Sequence, residues 1–335
     1  ELVDLPVHYR GSHLTKAEKP VARGFLRVTD HIFPAKGLAG EQSGRLELAR
    51  WLTHPQHPLT SRLIVNRIWQ WNFGNGIVET SNNFGTRGAE PSHPALLDYL
   101  ATQFIELGWS VKKLNREILL SQTWRLSTDA HASEADKDPE NRFLWRMNRR
   151  RLEAEAIRDA MLAVSGRLDP RMSGRVDEYN PGRGERDRFV FREGAAWFEL
   201  KEKLFIAPRR SVYLPVIRNA LNPMLAIFDY TDASAPVGKR NATVVATQAL
   251  LMMNSAFVVT QAEAFAERIL QEVSTDETAR INSAFVRAYG RPPRASEVVD
   301  AAAFLTAMEV RTKPKFAWAR FCHVLFANSE FIYVE

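Results

Sequence analysis

Two acids stand one helical turn apart in the run RRRLEAEAIRDAMLAVS: Glu155 and Asp159, with Arg151 and Arg158 on the same face. Carboxylates at i and i+4 project together from a helix, where they can share a metal or work as an acid/base pair. Each acid also has an Arg within three or four residues, and ion pairing along the helix accounts for them without any ligand. A second constellation lies between Pro58 and Pro94. Asn66, Arg67 and Gln70 fall on one side of a predicted helix there. Amides both donate and accept, and a guanidinium grips anions in a fork, so this polar ridge can hold a ligand. The plainer alternative is that the ridge hydrogen-bonds the loop that follows. That loop, Phe84-Gly85-Thr86-Arg87-Gly88, can present Arg87 and backbone N–H groups to an anion, although it lacks the Gly-Lys-Ser/Thr ending of a phosphate loop.

These residues need helices to position them. Thr60 or Ser61 caps a helix after Pro58, with Ile64, Ile68 and Trp71 facing inward, and Gly74-Asn75-Gly76 ends it. Ser43 opens an earlier helix that buries Leu46, Ala49 and Leu52. Ser92 opens a later one carrying Leu96, Leu97, Leu100, Phe104 and Leu107, stopped by Gly108, with His93 at its start. Ser110 begins a partner helix burying Leu114, Ile118 and Leu119, which makes a helical hairpin. A polar connector covers Ser127 to Lys137, and Asp138-Pro139 reads as another helix entrance. In the Glu155/Asp159 helix, Leu152, Ala156, Ala160 and Ala163 form the apolar stripe.

From Pro170 to Pro208 the composition shifts to Gly, Arg and Glu, as in an inserted segment with one hairpin near Phe189-Val190-Phe191. Ser211 to Ile217 is the strand candidate, at an edge because of Pro215, with Arg209, Arg210 and Arg218 beside it. Asn222-Pro223 starts a short helix that ends near Asp229. Leu250 to Ile269 gives one or two helices around Met253, Phe257, Phe265 and Ile269. Further helices follow: one with Ile281, Ala284, Phe285 and Ala288, one capped by Ser296, and one with Trp318, Phe321 and Leu325. The expected fold is mainly α, an orthogonal multi-helix bundle with minor β (short strands or a hairpin near 189–217). The expected organisation is an extended arm over 1–42, a helical lobe over 43–169 and a variable insertion over 170–210. A strand plus a second helical lobe over 211–335 packs on the first.

Composition removes several classes. The 335 residues suffice for one large domain or two lobes, and the 45% hydrophobic share is ordinary for a globular chain. There is no run of about 18 apolar residues, so no membrane span is expected. Beginning at Glu1 without Met, the chain reads as a processed or excised segment. The formal charge is +6, but bases and acids interleave, and no nucleic-acid motif is present, which ranks nucleic acid last among partners. Cys322 is the one cysteine, so an internal disulfide, a cysteine zinc site and covalent haem attachment are all excluded. His54, His57, His93 and the other histidines lack metal-ligand spacing, and no metal site is expected.

Several segments carry more specific wording. The stretch from Arg45 through RLELARWLTHPQHPLTSRLIVNRIWQWNFGNG to Ala101 resembles the planctomycete family known as domain of unknown function 1553. RRRLEAEAIRDAMLAVSGRLD, PRRSVYLPVIRN, RNATVVATQALLMMNS and the ending FANSEFIYVE resemble its later blocks, in order. The segment between Pro170 and Pro208 matches poorly.

The resemblance implies context. Members are C-terminal parts of exported proteins with a companion domain and often an upstream c-type cytochrome, in settings of sulfatases and glycan breakdown. It also implies where to look for a site: Asn66, Arg67, Trp69, Arg87, His93, Arg151, Glu155, Arg158, Asp159, Arg210, Tyr213, Arg240 and Gln248 all stand at motif positions.

Two functions follow as expectations. In one, the chain is part of an oxidoreductase acting on carbohydrates, passing electrons to a c-type haem on the partner domain. It would have no cofactor of its own; Trp69 and Trp71 would stack on sugar and His93, Glu155 or Asp159 would remove a proton. In the other, it is a non-catalytic binding or scaffold module for acidic or sulfated glycans, or for the cytochrome domain.

Overall fold

The computed structural model describes residues 4–30, 33, 43–172, 205–214, 216, 221–232, 234–273 and 276–334. Among them are thirteen helices and two small antiparallel two-stranded sheets, so the fold is mainly α with minor β. The chain divides into two compact units, Glu1–Asn148 and Arg149–Glu335.

The first unit begins with a hairpin of β1 (Pro6–His8) and β2 (Lys16–Pro20), followed by α1 (Arg45–Leu52). α1 buries Trp51 and leaves Leu46, Ala49 and Leu52 exposed, the reverse of the expected face. The reason is aromatic packing: Trp51 stacks on Phe25 at 5.2 Å and meets the His57 ring edge-on at 4.4 Å. The core forms where α3 (Pro94–Glu106) packs on α2 (Thr60–Phe73) and on α4 (Val111–Leu120). Val65, Ile68, Trp69, Phe73, Leu97, Phe104 and Leu114 fill it, each contributing about 1.5–3 kcal/mol by burial. Trp71 is 60% exposed, because the buried face of α2 is centred on Val65 and Trp69 instead of Ile64 and Trp71. Gly74 ends α2 at φ 87°, and Gly108 at φ 71° turns α3 into α4. Ser110 caps α4 by accepting from Lys113 N, while Leu119 is exposed. α3 takes His93 rather than Ser92 at its cap position.

Asp138-Pro139 does not open a helix. The Asp138 carboxylate accepts from Arg142 N and Phe143 N, closing a turn in which Asn141 and Leu144 both have positive φ. The short helix of this region, α5 (Ala132–Ala135), lies upstream in the polar connector.

The second unit starts at β3 (Arg150–Arg151), which pairs with β4 (Tyr333–Val334) and stitches its two ends together. α6 (Ala154–Val164) buries Ala154, Ile157, Met161 and Leu162; Ala156 and Ala163 point to solvent. α7 (Pro223–Ile227) is capped by Asn222, whose side chain accepts from Met224 N. α8 (Ala246–Asn254) and α9 (Ala256–Glu272) are separate helices broken at Ser255, with Met252 buried and Met253 exposed. α10 (Glu277–Tyr289), α11 (Ala295–Glu309), α12 (Pro314–Ala327) and α13 (Ser329–Ile332) complete the unit. α9 against α12 is its principal seam, with Phe265 stacked on Phe326 at 5.6 Å. α11 starts at Ala295, one residue before the expected cap Ser296, and Glu297 accepts from Arg294 N.

Ser211–Tyr213 is a 3-10 turn and not a strand. Its backbone bonds locally because the Asp159 carboxylate takes the Ser211 N–H that a ladder partner would have taken. The expected hairpin at 189–191 lies outside the described residues. Among the described residues no single helix is long and apolar enough to cross a membrane. α8 and α9 pass that test only as a pair bent by 55°, and both contribute to the core.

Candidate functional site

The motif residues fall into two groups, one in each unit. In the first unit, α2 sets Asn66 and Gln70 one turn apart, with Arg67 beside them, against the loop that returns from Gly74 to His93. Asn66 is fully buried and bonds Val78 twice: Nδ2 donates to Val78 O at 2.9 Å and Oδ1 accepts from Val78 N at 2.8 Å. Gln70 Oε1 accepts from the Ser81 hydroxyl, and Arg67 Nη2 donates to Asn82 Oδ1 at 2.7 Å. The plainer reading of this ridge is therefore what the fold contains. Trp69 is buried against Phe73, ring centres 4.2 Å apart, and offers no face to a sugar; the exposed indole is Trp71.

The loop is cross-braced. Thr80 Oγ1 donates to Asn83 O and accepts from Ala89 N, Gly85 N donates to Asn83 Oδ1, and Ser92 N donates to Ile77 O. Gly88 sits against Asn83 O, where a Cβ has no room. Arg87 is exposed on this frame and has neither a hydrogen bond nor an ion pair among the described residues. His93 is half-buried. Its Nδ1 lies 3.0 Å from the Ser92 hydroxyl and its ring meets Phe143 edge-on, while Nε2 has no hydrogen bond among the described residues.

The second unit gathers the remaining motif residues around α6. Arg158 is fully buried, and its guanidinium donates to three backbone carbonyls: Phe205 O at 2.6 and 2.9 Å, Ala207 O at 2.5 Å and Arg209 O at 2.9 Å. It also reaches Ser211 Oγ, the Asp159 carboxylate at 3.4 Å and the rings of Phe205 and Phe257. Burial lowers its pKa to about 10, with Asp159 opposing, so it stays charged at neutral pH. Asp159 accepts from Ser211 N at 2.8 Å and Ser211 Oγ at 2.7 Å.

Glu155 meets Arg240 in a two-point pair at 2.7 and 3.0 Å, and Arg240 also reaches Glu153 at 3.0 Å and lies over the Tyr230 ring. The bonds to Glu155 raise the Arg240 pKa. Burial, then Glu155, raises that of Tyr230.

Arg151 donates to Asp229 Oδ2 at 2.8 Å, Phe228 O at 3.1 Å and Thr243 O at 2.5 Å. Burial alone would raise the Asp229 pKa, but the N–H and hydroxyl of Thr243, with Arg151, hold it below its ordinary value. Gln248 Nε2 donates to Ile227 O and Thr243 O. Tyr213 carries the buried Arg209 over its ring at 5.1 Å, whereas Arg210 is exposed with no side-chain partner among the described residues.

In chemical terms, Arg151, Arg158 and Arg240 are clamps that gather loops and helix ends onto α6. The two acids are acceptors within this network, Glu155 for Arg240 and Asp159 for Arg158 and Ser211. Asp229, Thr243 and Ser211 were missed as members. Thr243 and Ser211 sit in the quoted motifs RNATVV and PRRSVY, which was the available signal. Among the described residues no group of three or more His, Cys, Asp or Glu is arranged to hold a metal. Cys322 is buried, and burial raises its pKa, as suits an inert thiol.

A mainly α chain with an arginine-clamped second unit and a braced Arg87 loop is the class that the geometry defines. The family described as PSD1, protein of unknown function (DUF1553), matches residues 44–305, and the chain belongs to it. No curated protein and no solved structure matches the chain.

Proposed function

We propose that this chain is a non-catalytic binding module for acidic or sulfated glycans within an exported, cytochrome-associated parent protein. The observation that supports it is Arg87: an exposed guanidinium without an acid partner among the described residues, on a loop whose own hydrogen bonds hold its shape. A preorganised guanidinium suits sulfate and carboxylate, which it can meet with two parallel N–H bonds. The acids that a catalytic reading needs in the second unit, Glu155 and Asp159, are engaged by Arg240 and Ser211. The test is calorimetric titration with sulfated, uronic and neutral oligosaccharides at low and high salt. Binding of the anionic sugars that weakens with salt and with Arg87→Ala supports the proposal; binding unaffected by either, or none, removes it.

One observation favours the second reading, carbohydrate oxidation with electrons passed to a partner's c-type haem. His93 Nε2 has no hydrogen bond among the described residues and could take a proton. Haem absorption of the parent's cytochrome domain, followed while sugars are added with this chain present, decides it. Reduction that needs both the chain and His93 would displace the binding reading.

A further inference from the structure

The second unit has a groove unrelated to the residues above. It lies among α10, α11 and α12, encloses about 280 Å³, and is lined by Phe285 from α10, Ala301 and Phe304 from α11, and Phe321 and Val324 from α12. The Phe285 and Phe304 rings each lie 6.4 Å from that of Phe321, so three phenyl rings form a continuous wall. Ala301 is buried, and its small side chain leaves the space open.

Two carboxylates share the lining, and their situations differ. Glu297 is neutralised by Arg291, which reaches it at 2.8 and 2.9 Å and also holds Glu330. Asp300 is exposed and has neither a hydrogen bond nor an ion pair among the described residues. The wall already accommodates a cation: the Arg291 guanidinium lies 5.7 Å from the centre of the Phe285 ring. Aromatic faces and an acid unpaired among the described residues, with Arg291 at the margin already held by Glu297 and Glu330, together select a positive charge attached to an apolar body. The volume is near the lower end for small-molecule sites, so it suits one small amphiphile and not a sugar chain.

We propose that this groove is a binding site for a small aralkylammonium ion, with the apolar body against Phe304 and Phe321 and the ammonium group at Asp300. The proposal is independent of the glycan reading, whose residues lie in the first unit.

The probes are 2-phenylethylammonium and its anionic counterpart in shape, 3-phenylpropionate, titrated into the whole chain carrying ¹³C-labelled alanine methyls. The cation should shift the Ala301 signal with a dissociation constant on the order of millimolar, and the anion should leave it unmoved. Asp300→Asn, a surface change, should weaken the cation roughly fivefold. Ala301→Leu should remove binding by filling the groove; if that variant does not fold, Asp300→Asn still decides. Equal binding of both probes, no binding of the cation, or an unchanged cation affinity in Asp300→Asn overturns the proposal.

Discussion

Glu155 and Arg240, 85 residues apart in sequence, meet side to side through two hydrogen bonds of 2.7 and 3.0 Å. Both side chains are about a quarter to a third exposed, at 25% and 31%. The pair ties the segment before α8 to the first turn of α6. Its function is therefore read as stability of the second unit. Arg240→Ala and Glu155→Gln should each destabilise by about 1.5–3 kcal/mol, the range for hydrogen bonds to charged groups. The double variant should lose less than the sum, because either change already breaks the pair. Urea unfolding of the four proteins measures this; strict additivity would show that the two residues act separately.

Arg158 makes a stronger demand. With no exposed surface and three carbonyls as acceptors, its removal strands those acceptors in the interior. Arg158→Leu should destabilise by about 3–5 kcal/mol. Arg158→Lys should recover little, because an ammonium on a flexible stem cannot reach the carbonyls of Phe205, Ala207 and Arg209 from one plane. Denaturation midpoints settle it, and a lysine variant as stable as the wild type would contradict the geometry.

The sequence made the second of these residues hard to read. Ion pairing within the helix holds for Asp159, which meets Arg158 at 3.4 Å, but Glu155 pairs with the distant Arg240. Spacing along a helix reports neighbours at three and four residues and carries no information about Arg240 or Asp229. Spacing puts Arg158 on the face of Glu155 and Asp159, and only its distant acceptors make its burial tolerable. The same blindness explains Ser211–Tyr213: β-prone residues read as a strand, while the Asp159 carboxylate holds them in a turn. Elements whose signals are local were legible. The periodic faces of α3 and α10, the stop at Gly108 and the Asn222-Pro223 start all appear where they are expected.

Acid sensitivity of the second unit should track Glu297. The side-chain bonds from Arg291, opposed by partial burial and helped by Arg294 N, lower its carboxyl pKa from the ordinary 4.5 to about 2. Folding thus lowers this group's proton affinity, so the stability it supplies is complete above about pH 4.5 and is lost as pH falls through about 2. The stability gap between wild type and Glu297→Gln should be constant near neutral pH and close progressively across that window. Urea unfolding at a series of pH values checks the sign. A gap that widens on acidification would mean that the carboxyl is not the group held by Arg291.

The Asn66 clamp governs the loop that carries Arg87. A Cβ on Gly76 would lie 2.7 Å from Asn66 Nδ2 and 2.6 Å from Val78 O, so the close approach requires glycine. Asn66→Ala leaves the buried Val78 N–H and carbonyl without partners, and should cost about 2–4 kcal/mol for the two groups. Gly76→Ala should act on the same bonds from the other side, forcing the carboxamide away from Val78. If so, both variants should speed hydrogen exchange at the Val78 amide selectively, and the combined variant should be little worse than either alone. Exchange at Val78 that stays slow in Gly76→Ala would show that the loop can give way without releasing Asn66.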